Sequence, residues 1–143
     1  VHPGIHTCIN DEAEFSLDVR HPNPEVRKHC MDILKEMAAQ DWCQCTSDIE
    51  EQWVRDTVYF DKRLVGFVEE SMEEMGAKWQ KILSGAGHDA QFCAYMIPTT
   101  MLFARTKDGL SHCEPEHVPD EDCTAIATAT LNAVLKCDAS DEF

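Results

Sequence analysis

Three stretches of this 143-residue chain carry side chains that could do chemistry. In Ser84-Gly85-Ala86-Gly87-His88-Asp89, small residues lead into a histidine. Glycine suits a tight turn or a close approach of backbone to ligand. A histidine at such a turn can donate to a carboxylate or to a developing oxyanion; a plain turn with a surface histidine fits the same spacing. In Ser111-His112-Cys113-Glu114-Pro115-Glu116-His117, His112 could ligate a metal as a neutral imidazole. Glu114, Glu116 and His117 could support it from behind. His112, Cys113, His117 and Cys123 could instead hold a structural zinc, although their spacing matches no common template, and a solvated polar loop is the plainest alternative. Arg20 lies on a polar face beside Asp18. Its guanidinium suits two-pronged carboxylate binding, or simply an Arg–Asp surface pair.

Several other chemistries are not encoded. The chain contains no Gly-x-Ser-x-Gly, no P-loop and no dinucleotide-binding fingerprint. A hydrolytic two-metal site draws carboxylates and histidines from several strands, and here a single strong histidine candidate, His112, stands for them. The formal charge of −15 argues against nucleic acid or an anionic membrane surface as partner, and the acid reads as solvated surface. No apolar run reaches the ~18 residues of a membrane span. No charged-then-apolar leader is visible, so a cytoplasmic location is expected. The chain opens on Val1, in a loop-like stretch that suggests a fragment or a processed product. The eight cysteines are Cys8, Cys30, Cys43, Cys45, Cys93, Cys113, Cys123 and Cys137, an even number that raises the disulfide question. Several fall on apolar helical faces, which favours small buried free thiols over a disulfide framework.

These side chains need elements to hold them. Ala13, Phe15, Leu17 and Val19 alternate with polar neighbours, the period of a half-buried strand ending near His21-Pro22. Asn23 and Pro24 are a cap and first residue for a helix, and Val26, Cys30, Ile33, Leu34 and Met37 follow at helical spacing. Residues 43–54 form a weaker strand candidate, and 54–60 a linker. Asp61 caps a second helix with Leu64, Val65, Phe67, Val68, Met72 and Met75 as its stripe and Gly76 as its stop. Residues 77–83 read as a short strand, 88–95 as a short helix, and 98–104 as a strand covered on both faces. After a polar loop, Asp120, Glu121 and Asp122 open a last helix, with Cys123, Ile126, Ala127, Thr130, Leu131, Val134 and Leu135 down one face. The order βαβ, linker, αβαβα implies an α/β fold, with parallel pairing in its second part.

The segments 10–22, 84–92 and 106–117, in this order, resemble the M20 metallopeptidase-like amidohydrolases. The similarity is to the branch of N-carbamoyl-L-amino-acid hydrolases, β-alanine synthases and allantoate amidohydrolases, and spans roughly residues 5–137. Gly-Ala-Gly-His-Asp-Ala followed by the histidine of Ser111-His112 is specific to that branch. Members are homodimers whose catalytic domain binds two ions, zinc or manganese, and carries an inserted lid domain. The resemblance implies that residues 1–56 are the second half of a ferredoxin-like lid and dimerisation domain. Residues 57–143 would then be the C-terminal αβαβα part of a zinc-peptidase-like catalytic domain. It assigns His112 as the last metal ligand, His88 as a catalytic and substrate-contacting residue with Gly87 beside it, and Arg20 as the lid arginine that clamps the substrate carboxylate. The implied activity is hydrolysis of linear amide C–N bonds in N-carbamoyl or ureido amino acids by metal-activated water.

The chain departs from the family pattern in three places. Thr7 stands where a substrate-binding asparagine is expected. Cys113-Glu114-Pro115-Glu116 follows His112 where Ser-Pro-Glu-Glu is commoner. The remaining metal ligands and the general-base glutamate belong to an N-terminal region that this sequence lacks. The isolated chain is therefore expected to be inactive, and a truncated module kept for binding or dimerisation is the alternative.

Overall fold

A capping side chain and a proline coincide at the first helix. In the computed structural model, which describes residues 4, 6, 7 and 9–140, α1 spans Pro24–Ala38. Asn23 Oδ1 accepts from the Glu25 N–H at 2.9 Å, satisfying one of the donors a helix start leaves unpaired. The chain forms two compact units, Val1–Thr57 and Val58–Phe143. In the first, Arg27 is the tie. Its Nη1 donates to the His21 carbonyl at 2.7 Å and to Thr57 Oγ1 at 3.3 Å, and its Nη2 to Asp56 at 3.2 Å. Thr57 in turn donates to the Pro22 carbonyl at 2.7 Å. The half-buried face of α1 is Arg27, Cys30, Met31, Leu34 and Ala38; Val26, Ile33 and Met37 of the expected stripe are exposed. Beyond α1 the chain reverses at Trp42–Cys45, closed by the Cys45 N–H on the Trp42 carbonyl at 3.0 Å. Both central residues are left-handed, Cys43 at φ 56° and Gln44 at φ 68°, the twist of a hairpin turn.

The second unit rests on two helices. Asp61 caps α2, Lys62–Glu74, by accepting from the Arg63 and Leu64 N–H groups at 2.9 and 3.2 Å. Gly76 ends it at φ +64°. The Gly76 N–H bonds the Glu73 carbonyl and the Ala77 N–H the Met72 carbonyl, a paired stop that needs the left-handed residue glycine tolerates. A six-residue helix, α3, covers Asp89–Ala94, and α4 covers Asp120–Asp138 with three acids in its first turn and Lys136 in its last. The α2 stripe is half-buried to buried, with Met72 and Ser71 deepest. Its partner is α4.

The face α4 buries differs from the expected one. Ala129 is fully buried, and Ala125, Ile126, Ala133 and Lys136 beside it are half-buried. Leu131, Val134 and Leu135 are 58%, 57% and 57% exposed. The helix carries two candidate faces, and small alanines let the backbones approach where the larger residues would hold them apart. Lys136 clamps the contact, donating to Glu74 at 2.7 Å and Glu70 at 3.5 Å.

The expected strands at 13–19, 43–54, 77–83 and 98–104 are not formed. Among the described residues no strand ladder forms: an isolated antiparallel bridge joins Trp42 and Cys45, and single backbone bonds run from the Asp61 N–H to the Thr99 carbonyl at 2.9 Å and from the Lys107 N–H to the His117 carbonyl at 2.8 Å. The α/β architecture with its ferredoxin-like βαβ portion is therefore present here only in its helices. An alternating pattern favours an extended backbone, but a strand also needs a neighbour that accepts and donates repeatedly along a ladder, and the bond at Thr99 is a single one. Of residues 98–104, expected to be covered on both faces, 99–102 and 104 are half-buried, and Pro98 and Phe103 are exposed. The cysteine reading changes in the same way. Seven described cysteines are free thiols, but five are exposed and two, Cys30 and Cys137, half-buried; Cys43, Cys45 and Cys113 lie outside the helices altogether. Cys8 and the tail 141–143 lie outside the described residues.

Candidate functional site

His88 is held from two sides. It is the N-cap of α3, with extended backbone. Its Nε2 lies 2.6 Å from Ser84 Oγ, and its ring meets the Phe103 ring edge-on at 5.4 Å between centroids. Ser84 Oγ also accepts the Ala86 N–H at 3.2 Å, which curls the Ser84–His88 loop back on itself. Gln91 Oε1 reaches back to the His88 N–H at 3.4 Å, while the Gln91 N–H turns to the His88 carbonyl at 3.0 Å. Gly87 is exposed beside the half-buried His88. The left-handed glycines are Gly4, Gly76 and Gly109; the loop turns at Gly85 and Gly87 without that conformation, and a Cβ at Gly85 would meet nothing within 4 Å.

His112 sits in a closed loop. The Lys107 N–H bonds the His117 carbonyl at 2.8 Å, and the Glu116 N–H bonds the Cys113 carbonyl at 3.0 Å. His112 is left-handed at φ 57°, a conformation that costs a non-glycine residue about 1–3 kcal/mol. Glu116 stabilises it: its Oε2 accepts the His112 N–H at 2.7 Å. The exposed imidazole is thus aimed by the backbone of its own loop. Among the described residues no three His, Cys, Asp or Glu side chains are grouped to hold a metal ion. His112, Cys113, His117 and Cys123 accordingly form no zinc site, and the described residues do not build a metal centre by themselves.

Arg20 belongs to the first unit and is engaged with a carboxylate. Its Nε and Nη2 both donate to Asp18 Oδ2, at 2.9 and 2.5 Å, with both side chains well exposed. The bond from Arg20 holds the Asp18 carboxyl below the ordinary aspartate range, and the same bond raises Arg20. A hollow of about 340 Å³ opens between Tyr59, Asp61 and residues 94–99. It contains none of Arg20, Gly87, His88 or His112, so hydrogen bonding and backbone strain, rather than concavity, mark the chemically distinctive places.

The sequence nominated the two histidines and Arg20 by residue type. The partners of the histidines it did not nominate: Ser84 and Phe103 at His88, and the Glu116 carboxylate on the His112 backbone. The signal for Ser84 is its place four residues before His88 across small residues, which brings a hydroxyl back to a ring. His88 and His112 share none of these partners.

Residues 4–136 match the family described as Peptidase family M20/M25/M40. The chain is 32% identical over 137 residues to an N-carbamoyl-L-amino-acid amidohydrolase of Rhizobium meliloti, covering 94% of this chain and 33% of that protein. It is 29% identical over 119 residues to an allantoate amidohydrolase of Bacillus subtilis (strain 168), covering 80% and 28%. A crystal structure described as an amidohydrolase/peptidase from Burkholderia cenocepacia superposes with a TM-score of 0.68 at 35% identity, over 81% of this chain and 29% of that one. The chain spans about a third of the length of the curated relatives it matches.

Proposed function

The chain belongs to peptidase family M20/M25/M40, and from that premise we propose that it is part of an amidohydrolase cleaving the linear C–N bond of an N-carbamoyl or ureido amino acid. The observation that carries this reading is similarity along nearly the whole chain to an N-carbamoyl-L-amino-acid amidohydrolase. Arg20 is the group for the substrate carboxylate, a role supported by the carboxylate it already holds. Substrate would exchange with Asp18 for the guanidinium. His88 donates to the substrate oxygen that gains charge as water adds, and Gly87 lets the backbone come close. His112 is one ligand of a metal centre whose other ligands lie beyond the described residues. The family is generally metal-dependent, and the ions in the complete enzyme are two, zinc or manganese. Residues 1–56 serve as the second half of a lid through which the enzyme forms a homodimer, and residues 57–143 as the end of its catalytic domain.

The 143-residue chain alone is expected to turn over no substrate. Release of amino acid from N-carbamoyl amino acids, with and without added zinc or manganese, tests this against a His112→Ala control. Turnover well above that control overturns the inactivity. A second reading, an inactive module kept for binding or dimerisation, is supported by the large apolar residues left exposed. It stands if the chain, supplied with the N-terminal half of a relative, binds neither metal nor carbamoyl substrate.

A further inference from the structure

The hollow of about 340 Å³ holds none of the residues nominated for amidohydrolase chemistry, yet its wall has a chemistry of its own. Tyr59 and Tyr95, the two tyrosines of the chain, both line it, with Met96 and Asp61. Tyr59, Tyr95 and Met96 are well exposed, so their side chains are open to a ligand. The segments of the wall are tied together. The Asp61 N–H donates to the Thr99 carbonyl at 2.9 Å, and the Met96 and Ile97 N–H groups both donate to the Cys93 carbonyl at 2.9 Å. Thr99 Oγ1 donates to the Ile97 carbonyl at 2.9 Å. These bonds set the wall before anything binds, which lowers the ordering cost of binding.

Asp61 decides the charge a ligand must carry. Its Oδ1 accepts the Arg63 and Leu64 N–H groups. The Leu64 N–H, with Arg63, holds the carboxyl below the ordinary aspartate range, so it is ionised at neutral pH. Arg63 Nη2 approaches Oδ2 at a long 3.4 Å. An anion is repelled here, and a neutral apolar ligand would strip water from the carboxylate and return nothing. A metal ion needs several ligands, and Asp61 belongs to no such group among the described residues. An organic ammonium needs aromatic faces and a negative charge nearby rather than lone pairs. We infer that this hollow binds an organic ammonium group: the rings of Tyr59 and Tyr95 take the alkylated cation on their faces, Met96 covers its apolar side, and Asp61 supplies the opposite charge. The inference does not draw on the amidohydrolase reading, and neither falls with the other.

Tetramethylammonium chloride titrated into the full chain, with sodium chloride keeping the ionic strength constant, tests it. The readout is the ring signals of a tyrosine-labelled sample, which carries two labelled residues. Both are expected to shift along one saturable curve, and tert-butanol, a neutral molecule of similar size, is expected not to reproduce it. Tyr59→Leu and Tyr95→Leu, which keep apolar surface, should each weaken binding by about two- to fivefold, the range of an exposed cation–ring contact. Asp61→Asn, which keeps a capping side chain, should weaken it as well. Amide spectra that match wild type away from the hollow separate lost binding from lost folding. Shifts that never saturate, equal shifts with tert-butanol, or an affinity unchanged in all three variants overturns the inference.

Discussion

At Arg20 and His112 the local bonding determines what can be measured. The Asp18 carboxyl is lowered by the bond from Arg20. Its contribution is therefore present above the ordinary aspartate range and is lost as pH falls through the lowered folded value. The protection of the Arg20 Nε–H relative to its intrinsic exchange rate should be full at neutral pH and fall as pH drops through the lowered Asp18 value, and Asp18→Asn should remove that pH step. His112 gives a different expectation. His112→Gly relieves a left-handed strain, so urea unfolding should shift by no more than about 1 kcal/mol, neutral or stabilising. Glu116→Ala, which removes the acceptor that holds the strained residue, should destabilise, and Glu116→Gln should retain most of the hold. Arg20, His88 and His112 were legible because Arg and His are the side chains such chemistry requires. Ser84 left only its place four residues before His88 as a signal, and the Glu116 bond to the His112 N–H left none, because it depends on loop backbone angles that no spacing rule records.

The helices show what periodicity can and cannot say. Asn23-Pro24, Asp61 and Gly76 mark ends by local chemistry, and the structure places α1 and α2 at those marks. The α4 face was misread because its alanines carry little hydrophobic weight and yet make the close contact with α2. Ala129→Leu should therefore overpack that contact and cost about 1–3 kcal/mol, read as a lower urea midpoint, whereas Leu131→Ala on the exposed face should cost far less. Asp61 supplies a pH test at this scale. The Leu64 N–H, with help from Arg63, lowers its carboxyl, so the cap is complete at neutral pH and fails as pH falls through the lowered value. The protection factor of the Leu64 amide should fall on acidification, and Asp61→Asn should flatten the response. The expected strands form no ladder here for a non-local reason: alternation at 13–19 and the apolar run at 98–104 specify exposure along one segment, while the ladder depends on a second.

For the whole chain, the informative quantity is how little is covered. Met72 and Ala129 are the buried apolar residues among those described, while Phe15, Trp53, Tyr59, Met96 and Leu131 face outward. Family membership was legible because three short segments keep their order and chemistry across a chain that is about a third of its relatives. No helix among the described residues is long and apolar enough to cross a membrane. The uncovered apolar surface belongs to a molecule of net charge −15, which makes it a colloid kept dispersed by its own repulsion. That repulsion reaches about 10 Å at 0.1 M salt and about 3 Å at 1 M. Light scattering should therefore report no large clusters in dilute buffer and growing clusters as sodium chloride is raised. Storage and purification should favour low ionic strength at a pH well above the sequence isoelectric point of about 4.6.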